Sequence, residues 1–283
     1  MKSRLLTAAI ALPILIFSIV FPAYVPGYTQ ANWLFVAIAA AAFVAGLFEY
    51  FSMTKKLELK ADAGIGYLCA AGFFVLFFLN APGDAPEFLL MMAALTVVIL
   101  LVTQTFRFQK DFSKMLAGIG VTLLGVFYVA FLGGFLVSIR VGFENHPGLS
   151  TKILGFFFLV MMGSDVGAYF TGKNLGKHKL APGISPGKTW EGLIGGVVAA
   201  AAFAALASFW FFRELPFVAS IPLAVAMALV GVAGDLAESA MKRGADMKDA
   251  ASILPGHGGF LDRLDSLLLN APVVYYFAKI YFQ

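Results

Sequence analysis

Charge is scarce in this chain, and that scarcity excludes most soluble folds. Only 13% of the 283 residues are charged while 60% are hydrophobic, and the mean hydropathy is +0.88. In an average soluble domain about 25% of residues are charged. The composition therefore predicts an integral membrane protein. Cysteine is nearly absent too: Cys69 alone excludes an intrachain disulfide and has no cysteine partner for a metal site, so we interpret it as a packing residue.

Long polar segments are also missing, and apolar runs take their place. A helix that crosses a bilayer needs about 20 predominantly apolar residues. The runs lack the period-two alternation of outer-membrane strands. We therefore predict an all-α, polytopic integral membrane protein with about nine transmembrane helices, at residues 4–25, 31–53, 63–80, 87–106, 115–139, 152–172, 189–212, 217–241 and 265–282.

The basic residues are distributed unevenly between the connections. If nine helices alternate from a cytoplasmic N-terminus, 16 of the 20 basic residues lie inside, and Arg140, Lys152, Arg213 and Lys279 lie outside. Because basic connections stay in the cytoplasm, we predict a cytoplasmic N-terminus and a C-terminus outside. The first helix is expected to be an uncleaved anchor, since its apolar core is longer than that of a signal peptide. The net charge of +4 suits anionic lipid headgroups and phosphates, and no segment resembles a nucleic-acid-binding module.

Two aspartates stand out in the second half of the chain. Asp165 lies in the sixth predicted helix and Asp235 in the eighth, and both helices run in the same direction. At 1.5 Å per residue, each carboxylate lies roughly 10 Å inside the cytoplasmic end of its helix. A buried carboxylate in hydrocarbon is costly unless it faces a polar cavity with a cation or partner. The pair therefore predicts one shared polar cavity that faces the cytoplasm.

Glycines and lysines follow the first of these aspartates, in residues 163–192. The glycines permit close approach of the backbone to a ligand, and lysines such as Lys173 and Lys188 can neutralise phosphate oxygens. The sequence PGKT within it is not a Walker A motif, because Pro182 occupies the position of the required glycine and no buried strand precedes it. A basic cytoplasmic loop without a ligand would account for the lysines equally well, but not for Asp165.

The densest group of charges is SAMKRGADMKDAASILPGHGGFLDRLD, residues 239–265. Asp235, Glu238 and Ser239 share one helix face by their i, i+3, i+4 spacing. Asp262 and Asp265 also share a face if the ninth helix has begun by then. Carboxylates from separate segments beside basic residues suit Mg²⁺, which takes one or two carboxylates together with substrate phosphates.

Simpler interpretations remain open for part of this group. Glu238 can pair with Lys242 one turn later, Asp249 can balance its neighbour Lys248 in a solvated loop, and His257 can hold the shape of that loop. For Asp235 and Asp262 the metal interpretation is favoured, because neither has a basic partner close in sequence on the same helix face.

Two blocks of residues resemble phosphatidate cytidylyltransferases, also called CDP-diacylglycerol synthases. The C-terminal block matches the family signature at Ser239, Met241, Lys242, Arg243, Lys248, Asp249, Ala251, Leu254, Pro255, His257, Gly258, Gly259, Phe260, Asp262, Arg263, Leu264 and Asp265. The upstream block is similar at Asp165, Ala168, Tyr169, Gly172, Gly176, Pro182, Ser185, Pro186, Lys188 and Glu191. The blocks cover roughly the last two fifths of the chain, and the N-terminal helices resemble the family only in being hydrophobic.

The resemblance implies that CTP and phosphatidate react to give CDP-diacylglycerol and pyrophosphate with Mg²⁺, in a homodimer whose polar cavity opens to the cytoplasm. It implies a metal centre at Asp235 and Asp262 and leaves open a second cation such as K⁺. Because both substrates are anions, positioning and electrostatic neutralisation are expected to dominate catalysis. The candidate phosphate contacts are Lys188, Lys242, Arg243, Lys248 and Arg263, and the further substrate-binding candidates are Lys173, Asp165, Ser185, Ser239, Asp249, His257 and Asp265.

These candidates fall in residues 150–283, which we predict to be the catalytic half of a single membrane domain spanning 1–283, with N-terminal helices in 1–140. The protein is expected in the cell (inner or plasma) membrane. Two other classes were considered. A secondary transporter of an anionic metabolite would also bury carboxylates, but the paired interrupted helices of an inverted repeat are not evident. A CDP-alcohol phosphotransferase would share the nucleotide and metal chemistry, but its multi-aspartate helix motif has a different spacing.

Overall fold

The computed structural model describes residues 2–24, 32–107, 112–143, 148–247 and 259–283. Within these ranges the chain is helical apart from one short hairpin. The elements in chain order are α1 (Lys2–Tyr24), α2 (Trp33–Lys56), α3 (Ala63–Phe78), α4 (Ala81–Asp84), α5 (Pro86–Arg107), a 3₁₀ turn (Phe112–Lys114), α6 (Met115–Gly125), a π-helical segment (Val126–Phe131), α7 (Leu132–Val141), α8 (Leu149–Leu175), β1 (Lys179–Ala181), β2 (Ser185–Thr189), α9 (Trp190–Trp210), α10 (Phe217–Gly244) and α11 (Leu261–Phe282).

Each predicted transmembrane run coincides with helix in the described part of the chain. Six helical stretches there are long and apolar enough to cross a membrane: α2, α5, the continuous stretch Phe112–Val141, α8, α9 and α10. The apolar parts of the first and third helices are shorter, Ala11–Pro22 and Ala63–Phe78. The prediction of a helical, multi-pass membrane protein is therefore confirmed, while nine crossings and their orientation stay predictions.

Small residues bring the C-terminal helices close together. A Cβ added to Gly167 in α8 would lie 2.3 Å from the Cβ of Ala199 and 2.8 Å from the carbonyl oxygen of Gly195, both in α9. A Cβ on Gly234 in α10 would lie 2.6 Å from the carbonyl oxygen of Asp265 in α11. Such close backbone contact is typical of helix pairs in membranes, where packing rather than hydrophobic exclusion holds helices together. It fixes α8, α9, α10 and α11 as one body.

Aromatic side chains connect the N-terminal helices to this body. Phe77 in α3 packs edge-on against Phe135 in α7, with ring centroids 4.8 Å apart, and Phe135 in turn contacts Tyr275 in α11 at 5.4 Å. A second connection is polar. Arg140 in α7 is fully buried and donates to the side chain of Asn32, 2.7 Å from Nε, and to the carbonyl oxygen of Ile19 in α1. These contacts satisfy a guanidinium that would be costly to bury alone.

One segment departs from the all-α prediction. Between α8 and α9, β1 and β2 pair antiparallel, with Lys179 opposite Thr189 and Ala181 opposite Ser185. Proline and glycine at 182–183 and 186–187 disfavour helix here, so the polar backbone groups pair as a hairpin. The carboxylate of Glu191 accepts hydrogen bonds from the backbone N–H groups just after α8, at residues 177 and 178, and holds the hairpin against α9.

The ends of α8 and α10 also differ from the prediction. Both helices continue three residues past their predicted ends, to Leu175 and Gly244. Asp165 and Asp235 are therefore ten and nine residues from those ends, or about 15 and 14 Å along the helix axis. The carboxylates are farther from the helix ends than predicted, but their depths still match. The cause is that the last helical turns are polar and lie beyond the apolar runs from which the ends were predicted.

Candidate active site

A polar cavity of about 590 Å³ lies between α8, the hairpin, α9, α10 and α11. Its volume is in the range of small-molecule sites, about 300–1,000 Å³. Eight charged side chains line it, all of them candidates from the sequence: Asp165, Lys173, Lys188, Asp235, Lys242, Asp262, Arg263 and Asp265. The two sequence blocks therefore meet in space at one cavity.

Lysines from distant positions pair with the two aspartates that were predicted to hold a metal. Lys188, near the end of β2, places Nζ 2.6 Å from Oδ2 of Asp235 in α10. Lys242, in the last turns of α10, places Nζ 2.7 Å from Oδ1 of Asp262 in α11. The hairpin and the α10–α11 contact thus supply the basic partners that neither aspartate has close in sequence. Both carboxylates are neutralised in the absence of substrate, and both ammonium groups point into the site.

Glu238 forms the third member of the Lys242 cluster. Its carboxylate is fully buried, and Oε2 lies 2.7 Å from Nζ of Lys242, one helical turn along α10. The simpler interpretation of Glu238, an i, i+4 ion pair, is therefore confirmed. On the neighbouring position of the same helix face, the Ser239 hydroxyl donates to Oδ1 of Asp235 at 3.2 Å. Glu238 and Ser239 thus hold cavity residues in place without lining the cavity themselves.

The start of α11 presents three charged residues to the cavity. Asp262 and Asp265 share a face, as their spacing predicts, and Arg263 also reaches the cavity wall. The Oδ2 atom of Asp262 accepts a hydrogen bond from the backbone N–H of Gly259 at 3.0 Å, which fixes the carboxylate against the chain before the helix. One residue here was not anticipated from the sequence. Glu49 of α2 reaches the first backbone N–H groups of α11.

The remaining candidates fall into two groups. Arg243 donates from Nε to the carbonyl oxygen of Ile184 at 3.3 Å, in the hairpin turn, and neither it nor Ser185 is among the residues that line the cavity. Lys248, Asp249 and His257 lie outside the described residues.

The structure adds polar cavity residues that the sequence analysis did not single out, namely Ser164, Thr189 and Ser266. Thr189 caps α9, because its hydroxyl accepts the backbone N–H of Gly192. A hydroxyl residue directly before an apolar helix is the signal that could have identified it. Ser164 and Ser266 each follow or precede a predicted aspartate by one position, a proximity that by itself predicts no cavity contact, because adjacent helical residues point in different directions.

The donor set suits a hard divalent cation. Four aspartates line one cavity, and Mg²⁺ in proteins takes one or two carboxylates, with water and substrate phosphates completing its octahedron. In the part of the chain that the structure describes, no three His, Cys, Asp or Glu side chains are grouped closely enough to hold a metal ion by themselves. The arrangement therefore suits a metal that arrives with a phosphate ligand better than a closed protein cage.

Comparison with known proteins agrees with the geometry. The model of the cytidylyltransferase family matches residues 2–281. A phosphatidate cytidylyltransferase of Bacillus subtilis (strain 168) is 33% identical over 281 residues, which is 99% of this chain and 98% of the relative. One from Synechocystis sp. is 32% identical over 271 residues, 88% of this chain and 89% of the relative. One from Haemophilus influenzae is 39% identical over 155 residues, 53% of each chain. The resemblance carried by the two sequence blocks is confirmed and extends to the N-terminal helices, and the chain belongs to the cytidylyltransferase family.

Proposed function

We propose that this enzyme transfers the cytidylyl group of CTP to phosphatidate and releases pyrophosphate, giving CDP-diacylglycerol for phospholipid synthesis. The observation that carries the proposal is the single cavity in which aspartates and basic side chains from both sequence blocks meet. Relatives that cover nearly the whole chain and are named phosphatidate cytidylyltransferases support the same reaction. A cavity inside a membrane protein also suits a lipid substrate and a water-soluble nucleotide that must meet at the bilayer surface.

The reaction is a direct displacement at phosphorus. A phosphate oxygen of phosphatidate forms a bond to the α-phosphorus of CTP, while the bond from that phosphorus to the oxygen bridging to the β-phosphorus breaks. The electron pair of the broken bond leaves with pyrophosphate. No covalent enzyme intermediate is needed, so the protein contributes positioning and charge stabilisation.

The principal obstacle is repulsion between two anions, and the cavity lysines are suited to overcome it. Lys188 and Lys242 hold their ammonium groups at the cavity wall through ion pairs with Asp235 and Asp262. Phosphate oxygens can share these ammonium groups, since each carries three donors. Arg263 adds a planar guanidinium suited to bidentate phosphate binding. The basic side chains are thus already oriented before substrate binds, which reduces the reorganisation needed during the reaction.

Asp235 and Asp262 are the residues that would hold Mg²⁺, and Asp165 and Asp265 line the same cavity beside them. When bound, the metal would supply Lewis acidity and charge neutralisation at the nucleotide phosphates. A second cation such as K⁺, a homodimeric assembly, a cavity opening to the cytoplasm and residence in the plasma membrane are parts of the same proposal. Arg243, Ser185, Ser239 and Lys173 are assigned supporting roles at the edge of the substrate site.

The test is pyrophosphate release by the purified full-length protein in detergent with Mg²⁺, CTP and phosphatidate. We expect release with the wild-type chain and its loss, by about 100-fold or more, in Asp235→Asn and Asp262→Asn. Asp84→Asn is the matched control, because Asp84 lies in the short helix α4 and lines a different cavity. Thermal unfolding of all three variants distinguishes lost chemistry from lost folding.

Two outcomes would favour the other classes. Nucleotide turnover that requires a CDP-lipid and an alcohol would indicate a CDP-alcohol phosphotransferase. Absence of turnover together with flux of an anionic metabolite into liposomes would indicate a transporter. Removal of Mg²⁺ by a chelator is expected to stop release in the wild-type protein, and undiminished release would exclude the metal from the reaction.

A further inference from the structure

The start of α11 has no capping side chain at its own N-cap position. The N-cap residue is Phe260, and no side-chain hydrogen bond is made there. The first backbone N–H groups of a helix have no partner within the helix and must be satisfied from outside. This requirement is acute here, because the next residues of α11 are Asp262 and Arg263 of the candidate active site.

The missing cap comes from α2, more than 200 residues away in sequence. Oε1 of Glu49 accepts the backbone N–H of Phe260 at 2.7 Å, and Oε2 accepts the N–H of Leu261 at 2.6 Å. The Glu49 side chain is fully buried. Both carboxylate oxygens are thus used on two consecutive N–H groups at the positive end of the helix dipole, where a negative charge is stabilised.

A second contact from α2 lies at the other side of the signature segment. Nζ of Lys56 donates to the carbonyl oxygen of Asp246 at 3.0 Å, just after α10. One helical turn before Glu49, a Cβ on Gly46 would lie 3.5 Å from a Leu264 methyl and 3.8 Å from a Leu261 methyl, so α2 packs directly on the first turn of α11. The helix therefore contacts the chain on both sides of residues 248–258.

We infer that Glu49 is a positioning residue for the active site: its carboxylate holds the first turn of α11 so that Asp262 and Arg263 face the cavity. This inference rests on the proposed function. Glu49 itself is not among the residues that line the cavity. It acts through the backbone of Phe260 and Leu261.

The variant Glu49→Gln removes the charge and one of the two acceptors while it keeps the side-chain volume. Its NH₂ group would then face a backbone N–H, so one buried donor of α11 loses its partner. Loss of an outer contact that orients metal ligands typically costs about 10- to 100-fold in metal affinity or activity. We expect kcat/KM for CTP to fall by about that factor, with a rise in the Mg²⁺ concentration that gives half-maximal rate.

The decisive readouts are those that a purely structural role would not change. Wild type, Glu49→Gln, Glu49→Asp and the control Glu58→Gln are purified as full-length protein, and the fraction folded is measured for each. Glu58 follows α2 and its side chain is 81% exposed, so its variant is expected to match wild type. Hydrogen exchange at the amides of Phe260 and Leu261 is expected to speed up in Glu49→Gln and less in Glu49→Asp, while exchange in α9 is unchanged.

The inference is overturned if folded Glu49→Gln keeps kcat, KM and the Mg²⁺ requirement within about twofold of wild type. It is equally overturned if activity falls only in proportion to the folded fraction. If Glu49→Gln does not fold, Glu49→Asp decides, because it keeps the charge but shortens the reach by one methylene. Absence of pyrophosphate release from wild type would refute the proposed function, whereas the exchange measurement would still report whether Glu49 holds α11.

Discussion

Replacement of Lys242 by methionine tests the electrostatic design of the site. Its ammonium lies 2.7 Å from both Glu238 and Asp262, and the exposed fractions of the three side chains are 13%, 0% and 15%. At an effective dielectric of about 20, each contact has a gross attraction of about 6 kcal/mol, most of which is offset by the cost of desolvating the charges. Removal of the cation leaves two carboxylates together in a buried place, which costs about 3–5 kcal/mol for an ion pair that loses one partner.

The measurement is a denaturation curve in detergent for four proteins: wild type, Lys242→Met, Glu238→Gln and the double variant. We expect Lys242→Met to be the least stable, and the double variant to recover about 1–3 kcal/mol relative to additivity, because one of the uncompensated carboxylates is then gone. Additive effects, or a loss below about 1 kcal/mol in Lys242→Met, would refute the argument that the three groups form one buried cluster. Activity is not the readout here, since Lys242 is also proposed to contact substrate.

Two further outcomes follow from packing and from a pKa. Gly167→Ala is expected to lower stability by about 1–3 kcal/mol, because its Cβ would meet α9 at 2.3 Å; the matched control Gly120→Ala has nothing within 4 Å and is expected to gain up to about 1 kcal/mol of helix propensity. Thermal unfolding of the two variants checks this, and equal effects would contradict it. The hydrogen bond from Lys152 lowers the pKa of the Glu214 carboxyl. Its small contribution, about 0–1 kcal/mol for so exposed a pair, is therefore present above the ordinary pKa of Glu and lost as the pH falls through the lowered value. Glu214→Gln is expected to be slightly less stable than wild type at neutral pH and equal to it in strong acid, and a difference that grows with acidity would contradict the assignment.

The helices were predictable because lipid leaves the backbone few alternatives. A segment that lies in hydrocarbon must satisfy every N–H and C=O internally, so a long apolar run predicts helix with little ambiguity. The prediction weakened where the chain leaves the apolar region. The last turns of α8 and α10 are polar and were not counted, and the hairpin at Lys179–Thr189 was taken as a loop, because its pairing depends on proline and glycine turns rather than on hydrophobic pattern.

The site residues were predictable from their motifs, but their partners were not. Eight charged candidates line one cavity. The pairing of Lys188 with Asp235 joins a strand to a helix two elements later, and the cap that Glu49 provides joins α2 to α11. Contacts of this kind depend on how the helices pack, which neither periodicity nor local spacing encodes. Glu49 was visible only as an unusual charge in an apolar helix, a sign that a buried partner exists but not of which one.

The π-helical segment Val126–Phe131 limits how the protein can change in length during evolution. A wide turn of this kind accommodates an extra residue within an otherwise regular helix. Deletion of one residue there would restore an α-helix and rotate everything after it by about 100°. Ser138 and Arg140, both buried on the far part of the same helix, would then turn away from their partners. A single-codon deletion would thus be felt about 15 Å away along the helix axis, whereas a conservative substitution at the same place would not.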